Sequence, residues 1–424
     1  MPVIERLTGR EILDSRGRPT VEATCTLRGG ISASASVPSG ASTGAAEALE
    51  LRDGDPNRYR GLGCRKAAGH IGGPIHDAAQ GHEFHQQADF DRLLIELDGT
   101  PNKSRLGANA TLAASVAFAR VSAIEAGVPL WRQFAHMVNS EPLALPRLTI
   151  NLFSGGKHAG QQVAIQDVLI VPAAAKTIDE TLVAAYDIYQ AAAALVLERF
   201  DMRLLRADEG GMAPPCHTPE EMIELALEAI EAAGYSPQSE VNLAVDVAST
   251  HFHSRDVYRL GEDVLTSDRM VEQVVEWVRA YPIVSVEDAL AEDDWESWPK
   301  LLKQIGHRAL VVGDDLLCTK PARIRRAVAE HSCNALLLKV NQIGTLTEAA
   351  EARRLAQDAG WHVTISVRSG ETEDNWAADL AVGWTGDQFK NGSITQSERL
   401  SKYNRLLQIE NETGLPVNSW PRAE

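Results

Sequence analysis

No stretch of the 424-residue chain approaches the roughly 18 consecutive apolar residues that a membrane-spanning helix needs. The opening, MPVIERLTGREILDSRG, is charged and lacks the apolar centre of a secretion signal. Neither export by such a signal nor a membrane partner is therefore expected. Cysteine is sparse. Cys25, Cys64, Cys216, Cys318 and Cys333 are scattered, odd in number and form no Cys-x-x-Cys pair. That excludes a disulfide framework or a zinc site and points to a reducing, cytoplasmic compartment. Positive charge is also short. Lys and Arg number 41 against 58 Asp and Glu, a net charge of −17. A nucleic-acid or anionic-membrane partner is disfavoured, and an anionic substrate would need local cations or a metal.

The chain is too long for one ordinary domain. It suits a barrel of roughly 250 residues plus a second domain, and 44% hydrophobic residues allow a sizeable core. Residues 1–30 read as two strand-like runs around Arg16-Gly17-Arg18-Pro19. Residues 31–45, ISASASVPSGASTGA, are small and Gly/Ser-rich and are expected to form a mobile loop. Leu106 to Ala126 is Ala-rich with helical spacing, and Pro142 to Arg147 reads as a linker.

Beyond the linker the pattern changes. Short apolar runs end in a charged residue, and helical segments follow. Asp246 stands near the end of LAVDVAS, Glu287 in PIVSVED, Asp314 in ALVVGDD, Lys339 in ALLLKVN, and Arg368 with Ser369 in HVTISVRSG. The first three intervals are 41, 27 and 25 residues, which is the spacing of repeated βα units. Charged groups at the C-terminal ends of successive parallel strands converge on one face of a barrel, where such enzymes keep their active sites.

Three carboxylates in phase, Asp246, Glu287 and Asp314, repel strongly unless a hard cation neutralises them. Oxygen-only ligands favour Mg²⁺ over zinc or copper. Lys339 lies in a run that reads as buried. Burial depresses a lysine pKa, which makes Lys339 a candidate general base.

Long segments then carry a resemblance over nearly the whole chain. They are REILDSRGRPTVE, VPSGASTG, ELDGTPNKSRLGANA, SGGKHAG, DEGGMAP, YPIVSVED with AEDDW, VGDDL, LLKVNQIGTLTE, RSGETED and SERLSKYNRLLQIE. In these the chain resembles the enolase family, whose sites as a class pair a Lys or His base with Mg²⁺. The resemblance implies an α/β fold, with an α+β capping domain over residues 1–138 and an enolase-type, TIM-like βα barrel over 139–424. It also implies that the first barrel strands are not all parallel. Asp246, Glu287 and Asp314 match the ligands of the Mg²⁺ that grips a substrate carboxylate, and Ser39 matches a loop ligand of a second Mg²⁺. Lys339 matches the base that removes the carbon-2 proton, and Lys390 a second lysine on the carboxylate. Glu209, Asp167 and His158 match catalytic positions. Arg368 and Ser369 match the phosphate-binding pair, and Gln166 a substrate-binding position. The implied substrate is a small phosphorylated three-carbon acid. The REILDSRG and SERLSKYN segments imply a homodimer.

Several positions depart from the family pattern. Val367 replaces the histidine of SHRSGE, Asp167 the glutamate of QEF, and Ser154 the asparagine of NGGSH. Ala289 stands for a proline and His251 for a glutamate. The proton-abstraction side is intact, whereas the hydroxyl-departure side is altered. The expectation is a diverged paralogue, akin to carboxyphosphonoenolpyruvate synthase of phosphinate and phosphonate antibiotic biosynthesis, with a nucleotide-activated phosphonoformate as second substrate and a transferase reaction. The alternatives are an ordinary phosphopyruvate hydratase and a non-catalytic enolase-like binding protein.

Overall fold

The computed structural model describes residues 2–421. The N-terminal part opens with an antiparallel sheet of β1 (Ile4–Leu13), β2 (Pro19–Leu27) and β3 (Ser32–Ser36). The turn between β1 and β2 is held by Asp14, whose Oδ1 accepts the Arg16 and Arg18 amides at 2.8 and 2.9 Å. Gly17 takes the positive φ of 70° that closes it. Alternation along β2 turns Val21, Ala23, Cys25 and Leu27 inward. They face the helix Ala108–Ala126, most of which is buried, and its small alanines let the helix approach the sheet closely. The stretch expected to be a loop is therefore split: Ser32–Ser36 pairs with β2, and the irregular backbone begins at Val37. Ala33 and Ala35 point to the core while serines alternate with them, so small residues here make a half-buried strand.

The second part is a closed barrel. Its strands are β4 (Arg147–Ser154), β5 (Asp167–Pro172) and β6 (Val241–Asp246). A small antiparallel excursion follows, β7 (His253–Ser254), β8 (Val257–Leu260) and β9 (Asp263–Leu265). The barrel resumes with β10 (Ile283–Glu287), β11 (Leu310–Gly313), β12 (Ala335–Leu338), β13 (His362–Ser366) and β14 (Gln388–Lys390). β14 pairs with β4 and closes the ring. β5 runs antiparallel to both β4 and β6, and the other pairs are parallel, as the resemblance implied. β5, β6, β11 and β12 are buried throughout, which is why they read as mostly apolar runs, and β4 is equally buried although Arg147, Thr149 and Asn151 alternate with Leu148, Ile150 and Leu152. Outer helices begin on Thr-x-x-Glu starts. The hydroxyls of Thr177, Thr218 and Thr345 accept the amides of Glu180, Glu221 and Glu348.

The opposite end of the barrel is plugged by Arg147. Its buried guanidinium donates to the carbonyls of Asn418, Trp420, Pro172 and Ala175 at 2.7–3.1 Å. Among the described residues no single helix is long and apolar enough to cross a membrane.

Candidate active site

Barrel closure puts the chemistry on one rim. Ser154 ends β4, Asp246 ends β6, Glu287 ends β10 and Lys390 ends β14. Asp314 and Lys339 each follow immediately after the last residue of β11 and β12. Asp167 is the first residue of β5, but that strand is reversed, so its start lies on the same rim. The register makes this literal. Ser154 pairs with Asp167, Asp167 with Asp246, and Asp246 with Glu287, one row across four strands.

Lysines neutralise that row. Lys390 Nζ donates to Asp246 Oδ2 at 2.7 Å and to Glu287 Oε2 at 2.6 Å. Lys339 Nζ donates to Asp314 Oδ2 at 2.5 Å. The three carboxylates thus share a rim without meeting at one point: Asp246 and Glu287 close on Lys390, and Asp314 is drawn to Lys339. Asp314 also groups with Asp288 and Asp315, with oxygens within 4.8 Å of one another. Asp288 accepts the amides of Asp314 and Asp315 at 3.0 and 2.8 Å, which fixes that turn. Gln166 donates to Asp246 at 3.2 Å and Gln342 to Asp314 at 2.8 Å.

Burial raises Glu287, Asp246 and Asp315, and the neighbours decide the net direction. For Glu287, burial and then Asp246 push it well above its usual range. For Asp246, burial is outweighed by Lys390, and it falls below its usual value. Burial and the Asp314 charge hold Asp315 up at about 8. Burial works against charge on Lys390, yet Asp246 and Glu287 hold it well above the lysine range. Lys339 was expected to be depressed, and it is raised instead. Burial does act downward, but the neighbouring carboxylates, Asp314 first and then Glu287, together more than compensate.

A second cluster lies on the other side of the row. His158 Nδ1 is 3.1 Å from Asp167 Oδ2, and its Nε2 is 3.8 Å from Glu209 Oε1. Asn151 Nδ2 donates to Glu209 Oε2 at 3.1 Å. Burial lowers the His158 pKa, but Asp167 and Glu209 outweigh it and lift it to about 9. Burial raises Asp167, and His158 only partly offsets this. Glu209 ends below its usual value because His158, Arg399 and Lys390 together outweigh burial.

Arg368 and Ser369 follow β13. Arg399 fixes their backbone, donating to the Arg368 and Ser369 carbonyls at 2.8 and 2.7 Å. Arg16 of the N-terminal turn reaches across to Ser369 Oγ at 3.0 Å. Glu47 makes a two-pronged pair with the Arg368 guanidinium, at 3.0 and 3.2 Å. The loop that carries Glu47 rests on the rim through its glycines. A Cβ on Gly40 would collide with the Arg368 guanidinium, and one on Gly44 would lie 2.5 Å from Cys318 Sγ.

Ser39 is not brought to the carboxylates. Its hydroxyl lies between Glu50 at 3.1 Å and Arg52 at 2.7 Å, and its backbone pairs with Gly370. Its side chain serves the loop's base. Ser42, whose carbonyl accepts from Arg368 at 2.5 Å, is the loop serine at the rim. Val367 is buried beside Arg368 and brings no polar side-chain atom. His251 is partly buried, and its Nδ1 has no partner among the described residues. Glu47, Gln342 and Asn151 were not singled out from the sequence. Gln342 sits three residues after Lys339 in LLLKVNQ, and Glu47 closes the Gly/Ser loop, so adjacency to known motifs was the available signal.

The donor set fits Mg²⁺: Asp246, Glu287 and Asp314 offer buried carboxylate oxygens with no nitrogen or sulfur among them.

Comparison with known proteins agrees in extent with this architecture. The pattern described as "Enolase, N-terminal domain" matches residues 4–134, and "Enolase, C-terminal TIM barrel domain" matches residues 142–419. The chain is 45% identical over 414 residues to Enolase 1 of Methylococcus capsulatus, covering 97% of each.

Proposed function

The chain belongs to the enolase family, and on that premise we propose that it interconverts 2-phosphoglycerate and phosphoenolpyruvate plus water. It is an enzyme of the enolase superfamily, and its cofactor is Mg²⁺. The observation that carries the reading is the pairing of Lys339 and Lys390 with three carboxylates on one barrel rim.

The proton on carbon 2 lies beside a carboxylate and is very weakly acidic. Lys339 Nζ takes it, and Lys390 lies where the carboxyl group gains its second negative charge. Asp246, Glu287 and Asp314 would hold Mg²⁺, whose positive charge would offset their field on Lys339 and stabilise that developing charge. Arg368 and Ser369 hold the phosphate. The β-hydroxyl is a poor leaving group and needs an acid. Val367 offers none, but His158, Asp167 and Glu209 stand together on that side. An acid is therefore present despite the lost histidine, which favours the ordinary hydratase.

The carboxyphosphonoenolpyruvate synthase expectation finds no support. The similarity is to a protein named Enolase 1, and no group in the site calls for a phosphonoformate donor, a transferase step or antibiotic biosynthesis. A non-catalytic binding role is disfavoured by the buried charge row, which is costly to keep without a task.

We also read the division as a cap over 1–138 and a barrel over 139–424, the last cap helix ending at Met137 and β4 starting at Arg147. A homodimer remains the reading that the REILDSRG and SERLSKYN segments imply, and the two segments adjoin, both lining one cavity of about 860 Å³. A cytoplasmic location accords with five buried, unpaired cysteines. The test of function is phosphoenolpyruvate formation from 2-phosphoglycerate and Mg²⁺, abolished by Lys339→Ala. Full activity of that variant would remove the base assignment.

A further inference from the structure

Ser154 and Asp167 face each other across the antiparallel pair β4–β5, and both side chains are fully buried. Directly opposed residues have Cβ atoms about 4.5–5.5 Å apart. A hydroxyl on one and a short carboxylate on the other just span that gap. Ser154 Oγ donates to Asp167 Oδ1 at 2.6 Å. The terminal torsion of an aspartate is broad, so a fixed donor on one oxygen decides which edge of the carboxylate faces outward. That edge faces His158 Nδ1, at 3.3 Å from Oδ1 and 3.1 Å from Oδ2. Among the described residues, the side-chain donors to Asp167 are Ser154 and His158.

The backbone of Ser154 contributes as well. Its carbonyl accepts from Gln162 Nε2 at 3.1 Å, a residue of the same loop that carries His158. At the far end of the chain of contacts, His158 Nε2 approaches Glu209, which Asn151 anchors from the same strand as Ser154.

We propose that Ser154 is a positioning residue: through Asp167 it sets the His158 ring for the hydroxyl-departure half of the reaction. The shorter aspartate and the small hydroxyl act as one unit, so neither departure from the family pattern is an isolated loss. This rests on the hydratase reading for its kinetic arm only.

Ser154→Ala removes the hydroxyl. Phosphoenolpyruvate formation should lose about tenfold or more in kcat with KM within about twofold. Solvent-deuterium exchange at carbon 2, which depends on Lys339, should stay near the wild-type rate, as should stabilisation by Mg²⁺. Ser154→Thr keeps the hydroxyl and should recover most of the loss. A merely structural serine would lower exchange and elimination together.

The second arm needs no turnover. In protein labelled with ¹⁵N-histidine, the ring-nitrogen shifts of His158, assigned by their loss in His158→Gln, report its hydrogen bond to Asp167. They should move in Ser154→Ala and return in Ser154→Thr. If the unmodified enzyme forms no phosphoenolpyruvate, the functional reading falls, and the nitrogen shifts still decide the role of Ser154. Parallel loss of exchange and elimination, or His158 shifts unchanged in Ser154→Ala, overturns the proposal.

Discussion

Replacing Glu47 by glutamine should tighten the binding of phosphorylated ligands. The Glu47–Arg368 pair is nearly dry, with side-chain exposures of 9% and 3%. Arg368 also donates to Asn341 at 3.1 Å and to the Ser42 carbonyl at 2.5 Å. A substrate phosphate assigned to this guanidinium must displace the internal carboxylate. A hydrogen bond to a charged group contributes roughly 1.5–3 kcal/mol. Glutamine keeps the shape and loses the charge, which weakens the competitor by on the order of 1.4 kcal/mol, or about tenfold in affinity. Titration calorimetry with 2-phosphoglycerate and Mg²⁺ should therefore show a Kd about tenfold lower in Glu47→Gln, with no gain in kcat. The folded state should lose stability at the same time, because a buried guanidinium is left with a weaker partner. Arg368→Ala should abolish the gain when combined with it. Weaker or unchanged binding in Glu47→Gln would refute the competition and leave Glu47 as a loop clasp alone.

Asp246→Ala should abolish stabilisation by Mg²⁺, which at a hundredfold excess over Kd is about 2.7 kcal/mol for a ligand that binds only the folded state; a thermal shift retained in full would remove Asp246 from the ligand set. Val367→His should raise kcat for elimination by at least about tenfold by restoring a polar group on the hydroxyl side, and a steady-state assay showing no gain would make Val367 neutral. His251 titrates near 4 when folded, chiefly through burial and then through Lys157, against about 6.5 when unfolded. Between those values the unfolded chain holds the extra proton, so stability rises with pH there and the histidine contributes no slope above. His251→Gln should flatten that rise in urea unfolding between pH about 4.5 and 6.5, and an unchanged slope would contradict the assignment.

The barrel rim was legible because parallel strands export their last residue to one face. Asp246 and Glu287 each end a strand, and the βα spacing of the sequence exposed them, whereas Lys390, which ends β14, was found only through the family resemblance. The place of Ser39 was not legible because Gly/Ser loops carry no periodicity, and in ASVPSGASTGA two serines three residues apart look alike. Only the coordinates separate Ser39, held by Glu50 and Arg52, from Ser42 at the rim. The Lys339 shift was misjudged for a different reason. Burial can be read from LLLKVNQ, but the sign of a lysine shift depends on the carboxylate opposite, and Asp314 comes from another strand. The Ser154–Asp167 contact was likewise hidden, because it depends on antiparallel register across β4 and β5.

On the proposed reading, Lys339 on this rim removes the carbon-2 proton of 2-phosphoglycerate and the β-hydroxyl is expelled. One phosphorus NMR time course in deuterated buffer tests it directly. With Mg²⁺, the 2-phosphoglycerate signal should give way to phosphoenolpyruvate, and the substrate left behind should carry deuterium at carbon 2. Excess chelator should stop both, and Lys339→Ala should show neither. Persistent 2-phosphoglycerate with undiminished carbon-2 protium in the wild-type reaction would contradict the assignment of Lys339 as the base of a hydratase.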